Sequence, residues 1–268
     1  MDIVQATILG LIQGVTEFLP ISSSGHLVLV PKIFGWAEEQ PLEFDAVLHL
    51  ATLIAVLFYF RSDIILLLKS MFFKKPKNIC YKRLGWVIIV ATLPAVIIGF
   101  ILKCAPENPL RNIHIITINL IGWAIVMFLI DSAMKIKKNI QSVEKVGWRQ
   151  GIYVGLAQAF ALMPGTSRSG ISITAGLAEG LNRSTAARFA FLLGIPAITA
   201  AGTVSLIDIL TNPSLNVGLV PLIFGFITAM ISGYFAIHFL IKFLEKYSLN
   251  IFVLYRLVLG LILIILFW

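Results

Sequence analysis

The sequence predicts an all-α polytopic membrane protein, with six transmembrane helices plus two broken re-entrant helix pairs in an inverted-topology repeat. Three observations lead there. Of 268 residues, 59% are hydrophobic and 13% charged, where a soluble domain carries about 25% charged residues. The mean hydropathy of +0.95 is spread along the whole chain, so most of it has hydrocarbon rather than water as its solvent. Two further apolar stretches are broken midway by Pro, Gly and Ser in matching order.

The uninterrupted apolar runs fall at 44–60, 86–102, 113–130, 188–210, 217–241 and 249–268, each near the ~20 residues that a bilayer crossing requires. Cations flank them unevenly. Residues 61–83 hold Arg61, Lys69, Lys74, Lys75, Lys77, Lys82 and Arg83 against Asp63; residues 135–149 hold Lys135, Lys137, Lys138, Lys145 and Arg149 against Glu144. By the positive-inside rule both loops are cytoplasmic, which puts the loop 103–111 and both chain ends outside. The net charge of +8 therefore reports orientation in a lipid bilayer and calls for no nucleic-acid partner. Cys80 and Cys104 fall at opposite faces, so no bond is expected between them. The N-terminus carries Asp2 and no cation before its apolar stretch, unlike a signal peptide, and is expected to be retained. The length leaves no room for a separate soluble domain, so a single integral membrane domain of residues 1–268 is expected, with its site inside the bundle.

The broken stretches lie at 3–35 and 151–181. Gly10, Leu11, Gln13, Ser22, Ser24 and Gly25 recur 145 residues later as Gly155, Leu156, Gln158, Ser167, Ser169 and Gly170, and Pro20 matches Pro164 after a one-residue slip. This sets one repeat at about 1–131 and a second at about 148–268. Three spans follow each broken stretch, an odd number, so the second unit enters the membrane inverted. In such folds irregular backbone is tolerated at depth only where it is buried or lines a wet cavity, and the two breaks meet near the midplane.

The first break reads Gln13-Gly-Val-Thr-Glu17-Phe-Leu-Pro20-Ile-Ser22-Ser23-Ser24-Gly25-His26. Gln13 and Glu17 share a helix face at a spacing of four. Pro20 ends that helix, and Ser22 to Gly25 can turn amides and hydroxyls toward an anion ahead of a short helix near His26. Glu17, a carboxyl in apolar surroundings, is a candidate general base or metal ligand. The second break reads Pro164-Gly165-Thr166-Ser167-Arg168-Ser169-Gly170. Arg168 costs about 2.5 to 3.5 kcal/mol at a helix centre in lipid, so an anion or carboxylate partner, including Glu17, is expected. Two helix ends, an Arg fork and up to five serines suit a multiply charged phosphate group.

Other ionisable residues read first as structural: His49 and His238 as interhelical hydrogen-bond partners rather than ligands, Glu43 and Asp45 as solvated ends, and Glu179, Arg183 and Arg188 as an interfacial cluster, with help in binding substrate as the alternative. No two-histidine zinc motif, Walker loop or Gly-x-Ser-x-Gly elbow is present. Ser23 or Ser24 with His26 is poorly spaced for a protease dyad.

At these two breaks the sequence resembles the bacterial undecaprenyl-diphosphate phosphatases of the bacitracin-resistance type. Gln13 and Glu17 match the family's Glu or Gln, three residues, then Glu; Ser22, Ser23, Ser24, Gly25 and His26 match its Ser-Ser-x-Gly-His. Pro164, Gly165, Ser167, Arg168 and Ser169 match its Pro-Gly-x-Ser-Arg-Ser. Two departures are Gln13 for the commoner Glu and Ser172 for the usual Thr. The resemblance implies hydrolysis of undecaprenyl diphosphate to the monophosphate and phosphate, recycling the carrier for peptidoglycan and cell-wall synthesis. Bacitracin, which binds the same lipid, would compete, and the site would open to the extracytoplasmic face of the cytoplasmic membrane. On that reading Gln13, Ser22, Ser24, Gly25, Gly165, Thr166, Ser167, Ser169 and Gly170 would bind substrate with Arg168, while Glu17 and Gln13 would hold Mg2+ or Ca2+. The attacking group stays open between His26, Ser23 and a water activated by Glu17. A transporter or flippase of lipid phosphates is the competing class, because inverted repeats with broken helices are its common architecture.

Overall fold

The computed structural model describes residues 1–36, 42–72, 79–103, 112–133, 140–211 and 218–268. Among them the α-helices run α1 (Ile3–Phe18), α2 (Ser23–Ile33), α3 (Leu42–Tyr59), α4 (Arg61–Phe72), α5 (Ile79–Lys103), α6 (Ile113–Ala133), α7 (Trp148–Ala159), α8 (Arg168–Ala178), α9 (Arg183–Thr211), α10 (Leu219–Lys246) and α11 (Asn250–Phe267). Cys104 and the cations at 74, 75, 77, 135, 137 and 138 lie outside the described residues.

Helices α5, α6, α9, α10 and α11 are long and apolar enough to cross a membrane, and α3 with α4 makes a sixth, bent pair. These are the six expected spans, and the chain is a multi-pass membrane protein. Large apolar side chains such as Phe100, Phe235 and Ile265 stand exposed on them; a water-soluble protein does not present such surfaces, whereas lipid solvates them. The sequence reading took residues 61–72 for loop because of their charges. They form α4 instead, at 77° to α3. Its buried side chains are Leu67 and Ser70, while Ile65, Leu68 and Phe72 are exposed.

Both breaks are built alike. Leu19 and Met163 are extended because a following proline excludes the helical region for the residue before it. Ser22 at φ 74° and Ser167 at φ 73° then N-cap α2 and α8; among the described residues they are the two non-glycine positions with positive φ. Such a conformation costs about 1–3 kcal/mol and persists only where its surroundings over-determine it. The packing partners also exchange between halves: α1 lies on α10 and α7 on α5, α3 on α10 and α9 on α5, with α3 against α9 and α6 against α11. Gly10 and Gly155 allow the first exchange. A Cβ at Gly10 would run into the Gly225 carbonyl of α10, and one at Gly155 into the Ala91 carbonyl of α5, the small-residue contact by which helices approach in lipid.

One side chain ties the two breaks together. Arg256 of α11 is fully buried and spends its guanidinium on main-chain carbonyls. Nε donates to Leu120 (3.0 Å), Nη1 to Pro20 (3.3 Å) and Thr166 (3.1 Å), Nη2 to Asn119 (3.3 Å) and Gly165 (2.9 Å). Five donors meet five acceptors. Arg256→Lys, with three donors, strands carbonyls where water does not reach, and we expect a loss of about 2 kcal/mol or more. Thermal unfolding in detergent reads it as a lowered Tm. An unchanged Tm would show that the turns hold without the fork.

Candidate active site

The two breaks meet at a cavity of about 530 Å³. Its polar lining is Glu17 from α1, Ser23 and Ser24 from α2, His49 from α3, Gln158 from α7, and Ser167 and Arg168 at the start of α8; α5 and α9 supply apolar walls.

Glu17, nearly fully buried, organises the polar end. Its Oε1 accepts from Arg168 Nη2 at 2.9 Å, and its Oε2 accepts from Ser23 Oγ at 2.9 Å and from Gln13 Nε2 at 3.0 Å. His49 Nδ1 lies 3.0 Å from Gln13 Nε2 and 3.4 Å from Glu17 Oε2. Gln13 Oε1 is left buried without a partner. The backbone of α9 floors the guanidinium, for a Cβ at Gly194 would run into Arg168.

Glu17–Arg168 joins one break to the other, and two weaker ties accompany it. Ser169 Oγ donates to the Leu19 carbonyl at 3.1 Å, and the Gly165 amide to Ser24 Oγ at 3.5 Å. The two helix starts differ in one respect. Ser167 Oγ accepts the Gly170 amide at 3.1 Å, capping α8, whereas the Ser22 side chain does not cap α2. The first-turn amides of α2 are thus left without a side-chain cap, at a helix end that carries partial positive charge.

Of the residues singled out from sequence, Glu17, Ser23, Ser24, Ser167 and Arg168 line the cavity, and Gln13 holds Glu17 from behind. Ser22, Gly25, Gly165, Thr166, Ser169 and Gly170 build the turns and are absent from the lining. His26 also stands outside it. Its Nδ1 donates to the Ser22 carbonyl (2.7 Å), since a carbonyl only accepts, and its Nε2 meets the Tyr255 hydroxyl (2.6 Å), against whose ring it stacks. The expected interfacial residues are structural: Arg149 pairs with Glu179 (2.9 Å), Arg183 with Asp131 (2.6 Å) and Arg188 with Asp63 (2.9 Å). His238 meets Tyr59 between helices as expected (3.4 Å), and Asp45 is half-buried rather than solvated.

Sequence reasoning gave His49 no part in the site and drew no role from the Gln158 or Arg256 side chains. An ionisable residue inside a span is a functional candidate by default, and that signal was present at His49 and Arg256. Among the described residues no group of three His, Cys, Asp or Glu could hold a metal. The oxygens here are the Glu17 carboxylate and the Ser23 hydroxyl, with the partnerless Gln13 Oε1 behind them and outside the cavity lining, so a hard cation held here would take most of its shell from phosphate and water.

Fold and cavity together define an integral membrane protein with a polar site built where its two broken helices meet. The family model described as "Bacitracin resistance protein BacA" matches residues 6–262, and the chain belongs to that family. It is 40% identical to "Undecaprenyl-diphosphatase" of Chlorobium chlorochromatii over 97% of this chain and 95% of that protein. It is 40% identical to the protein of the same name from Idiomarina loihiensis over the full length of both, and 41% identical to "Undecaprenyl-diphosphatase 1" of Pseudoalteromonas translucida over 99% and 98%.

The Glu17–Arg168 pair makes a stability test. Removing one member of a buried pair leaves an uncompensated charge, at about 3–5 kcal/mol. We expect Glu17→Gln and Arg168→Met each to lower the Tm, and the double variant to recover most of that loss. Additive losses in the double variant would contradict the pairing.

Proposed function

We propose that the chain hydrolyses undecaprenyl diphosphate to undecaprenyl phosphate and phosphate, recycling the lipid carrier of cell-wall synthesis and so conferring bacitracin resistance. The observation that carries this is the Ser23 hydroxyl hydrogen-bonded to Glu17 beside Arg168, at one end of a cavity whose remaining wall is apolar. A lipid diphosphate needs both surfaces. The kinship with proteins named undecaprenyl-diphosphatase supports it. A transporter requires binding and release, and gains nothing from a hydroxyl aimed at a carboxylate.

In this reading the diphosphate competes with Glu17 for Arg168. Arg168, Ser24, Ser167 and the amides opening α2 hold the phosphate oxygens and stabilise charge as the phosphoryl group transfers. Glu17, released from Arg168, takes the Ser23 proton. Ser23 Oγ bonds the terminal phosphorus, the bond to the bridging oxygen breaks, and undecaprenyl phosphate departs with its tail along the α5 and α9 walls. Water then cleaves the phosphoserine. Arg256 adds a positive charge with no ion-pair partner among the described residues behind the same turns, which favours an anion. Gln13 and Glu17 would hold Mg2+ or Ca2+, which when bound neutralises charge on the phosphate oxygens.

The halves, about 1–131 and 148–268, act as inverted repeats in this proposal, supported by the paired serines at positive φ and the exchanged packing. The flanking cations support an orientation with the segments 61–83 and 135–149 inside, and the family resemblance supports a bacterial cytoplasmic membrane and a site open to the extracytoplasmic side.

Rapid quench with the terminal phosphate radiolabelled tests the chemistry. We expect acid-stable phosphoserine in the parent, none in Ser23→Ala, and a chelator to suppress the label until Mg2+ or Ca2+ is restored. An acid-labile label lost in His26→Ala would move the nucleophile to His26, and no covalent label at all would leave direct attack by water.

A further inference from the structure

Gln158 is 2% exposed and lines the cavity, yet neither its Oε1 nor its Nε2 has a hydrogen-bond partner in the chain. Burying an unmet polar atom costs about 1–3 kcal/mol, so a side chain that keeps two of them is held for a ligand. Its counterpart 145 residues earlier, Gln13, is engaged: that amide nitrogen is spent on Glu17 and His49. The first repeat uses its glutamine to fix the carboxylate, and the second leaves its glutamine open to the same space.

What the amide needs can be counted. A carboxamide offers two N–H donors and one acceptor oxygen. A diphosphate offers oxygens, which satisfy Nε2 but not Oε1. The cation of Arg168 is already paired with Glu17 and is claimed by the phosphate during turnover, and Ser23 is directed at Glu17. Oε1 therefore takes a hydrogen from the remaining reactant, water.

We infer that Gln158 binds and orients the hydrolytic water, with Oε1 accepting from the water and Nε2 donating to a phosphoryl oxygen. This rests on the hydrolase reading above and adds to it the residue that governs the second step. Glutamine does the same in GTPases, orienting the water that attacks a phosphoryl group. The water oxygen bonds phosphorus, the Ser23 Oγ–P bond breaks, Glu17 returns to Ser23 Oγ the proton it took in the first step, and inorganic phosphate leaves carrying the hydrogens of the water. Gln158 exchanges no proton; it sets the angle and distance of attack.

The test is Gln158→Met, of equal length without hydrogen bonding, in detergent-purified protein with undecaprenyl diphosphate. We expect kcat to fall roughly 10- to 100-fold, KM not to rise, the phosphoserine burst to keep its amplitude, and the Tm to hold or increase because two unmet polar atoms are gone. Gln158→Asn, which keeps both groups on a shorter stem, should recover part of kcat. A raised KM at unchanged kcat would make Gln158 a lipid-binding residue and overturn the inference, as would a lowered Tm accompanied by loss of the burst. Should the parent itself form no phosphoserine, the Ser23 mechanism fails by itself. Gln158 is then judged on the single displacement by water, where the same loss of kcat at unchanged KM supports it and an unchanged kcat refutes it.

Discussion

A buried guanidinium holding five main-chain carbonyls is the constraint on which this site depends. Breaking a helix inside a bilayer strands backbone groups that hydrocarbon cannot solvate. The turn carbonyls of Pro20, Gly165 and Thr166 find their donors on Arg256, together with Asn119 and Leu120 of α6. One side chain from the last helix thus pins both breaks and a neighbouring span in register. Its charge has no carboxylate partner among the described residues, in contrast to Arg168, which Glu17 neutralises at 2.9 Å. The resting site is thereby biased toward anions without an unpaired cation in the cavity itself.

With the turns fixed, strain and chemistry follow. Ser22 and Ser167 occupy left-handed backbone conformations 145 residues apart, each starting a short helix at the cavity. Glu17 is then surrounded by donors from α1, α2 and α8, and in the proposed reaction each would have a use beyond holding it: Ser23 as a nucleophile, Arg168 as a phosphate fork, Gln13 as an oxygen donor for a cation. On the proposed reading, a bound diphosphate would redistribute these contacts rather than build new ones, which keeps reorganisation at the moment of reaction small.

The membrane spans were legible because length and hydropathy alone decide them. The breaks were legible as Pro, Gly and Ser inside apolar stretches, and their meeting as the 145-residue recurrence. Glu17, Ser23 and Arg168 could be read as one site because a charge at bilayer depth demands a partner. Helix α4 was hidden by its own cations, which score as loop until the apolar face of Ile65, Leu68 and Phe72 is seen. His49 and Gln158 carried signals of their own, an ionisable residue inside a span and the 145-residue recurrence with Gln13, but which way each side chain faces is set by packing between helices that are distant in sequence. Arg256 carried the same signal as Arg168, yet carbonyls as partners leave no trace in sequence. The engagement of both His26 nitrogens depends on Tyr255, 229 positions away, which no local pattern encodes.

The most direct measurement is phosphate release from undecaprenyl diphosphate by the purified, folded protein beside Glu17→Ala and Arg168→Ala. Release by the parent that is lost in both variants is the result expected of a hydrolytic site shared between the two breaks. No release from the folded parent, or release that survives either substitution, would contradict it.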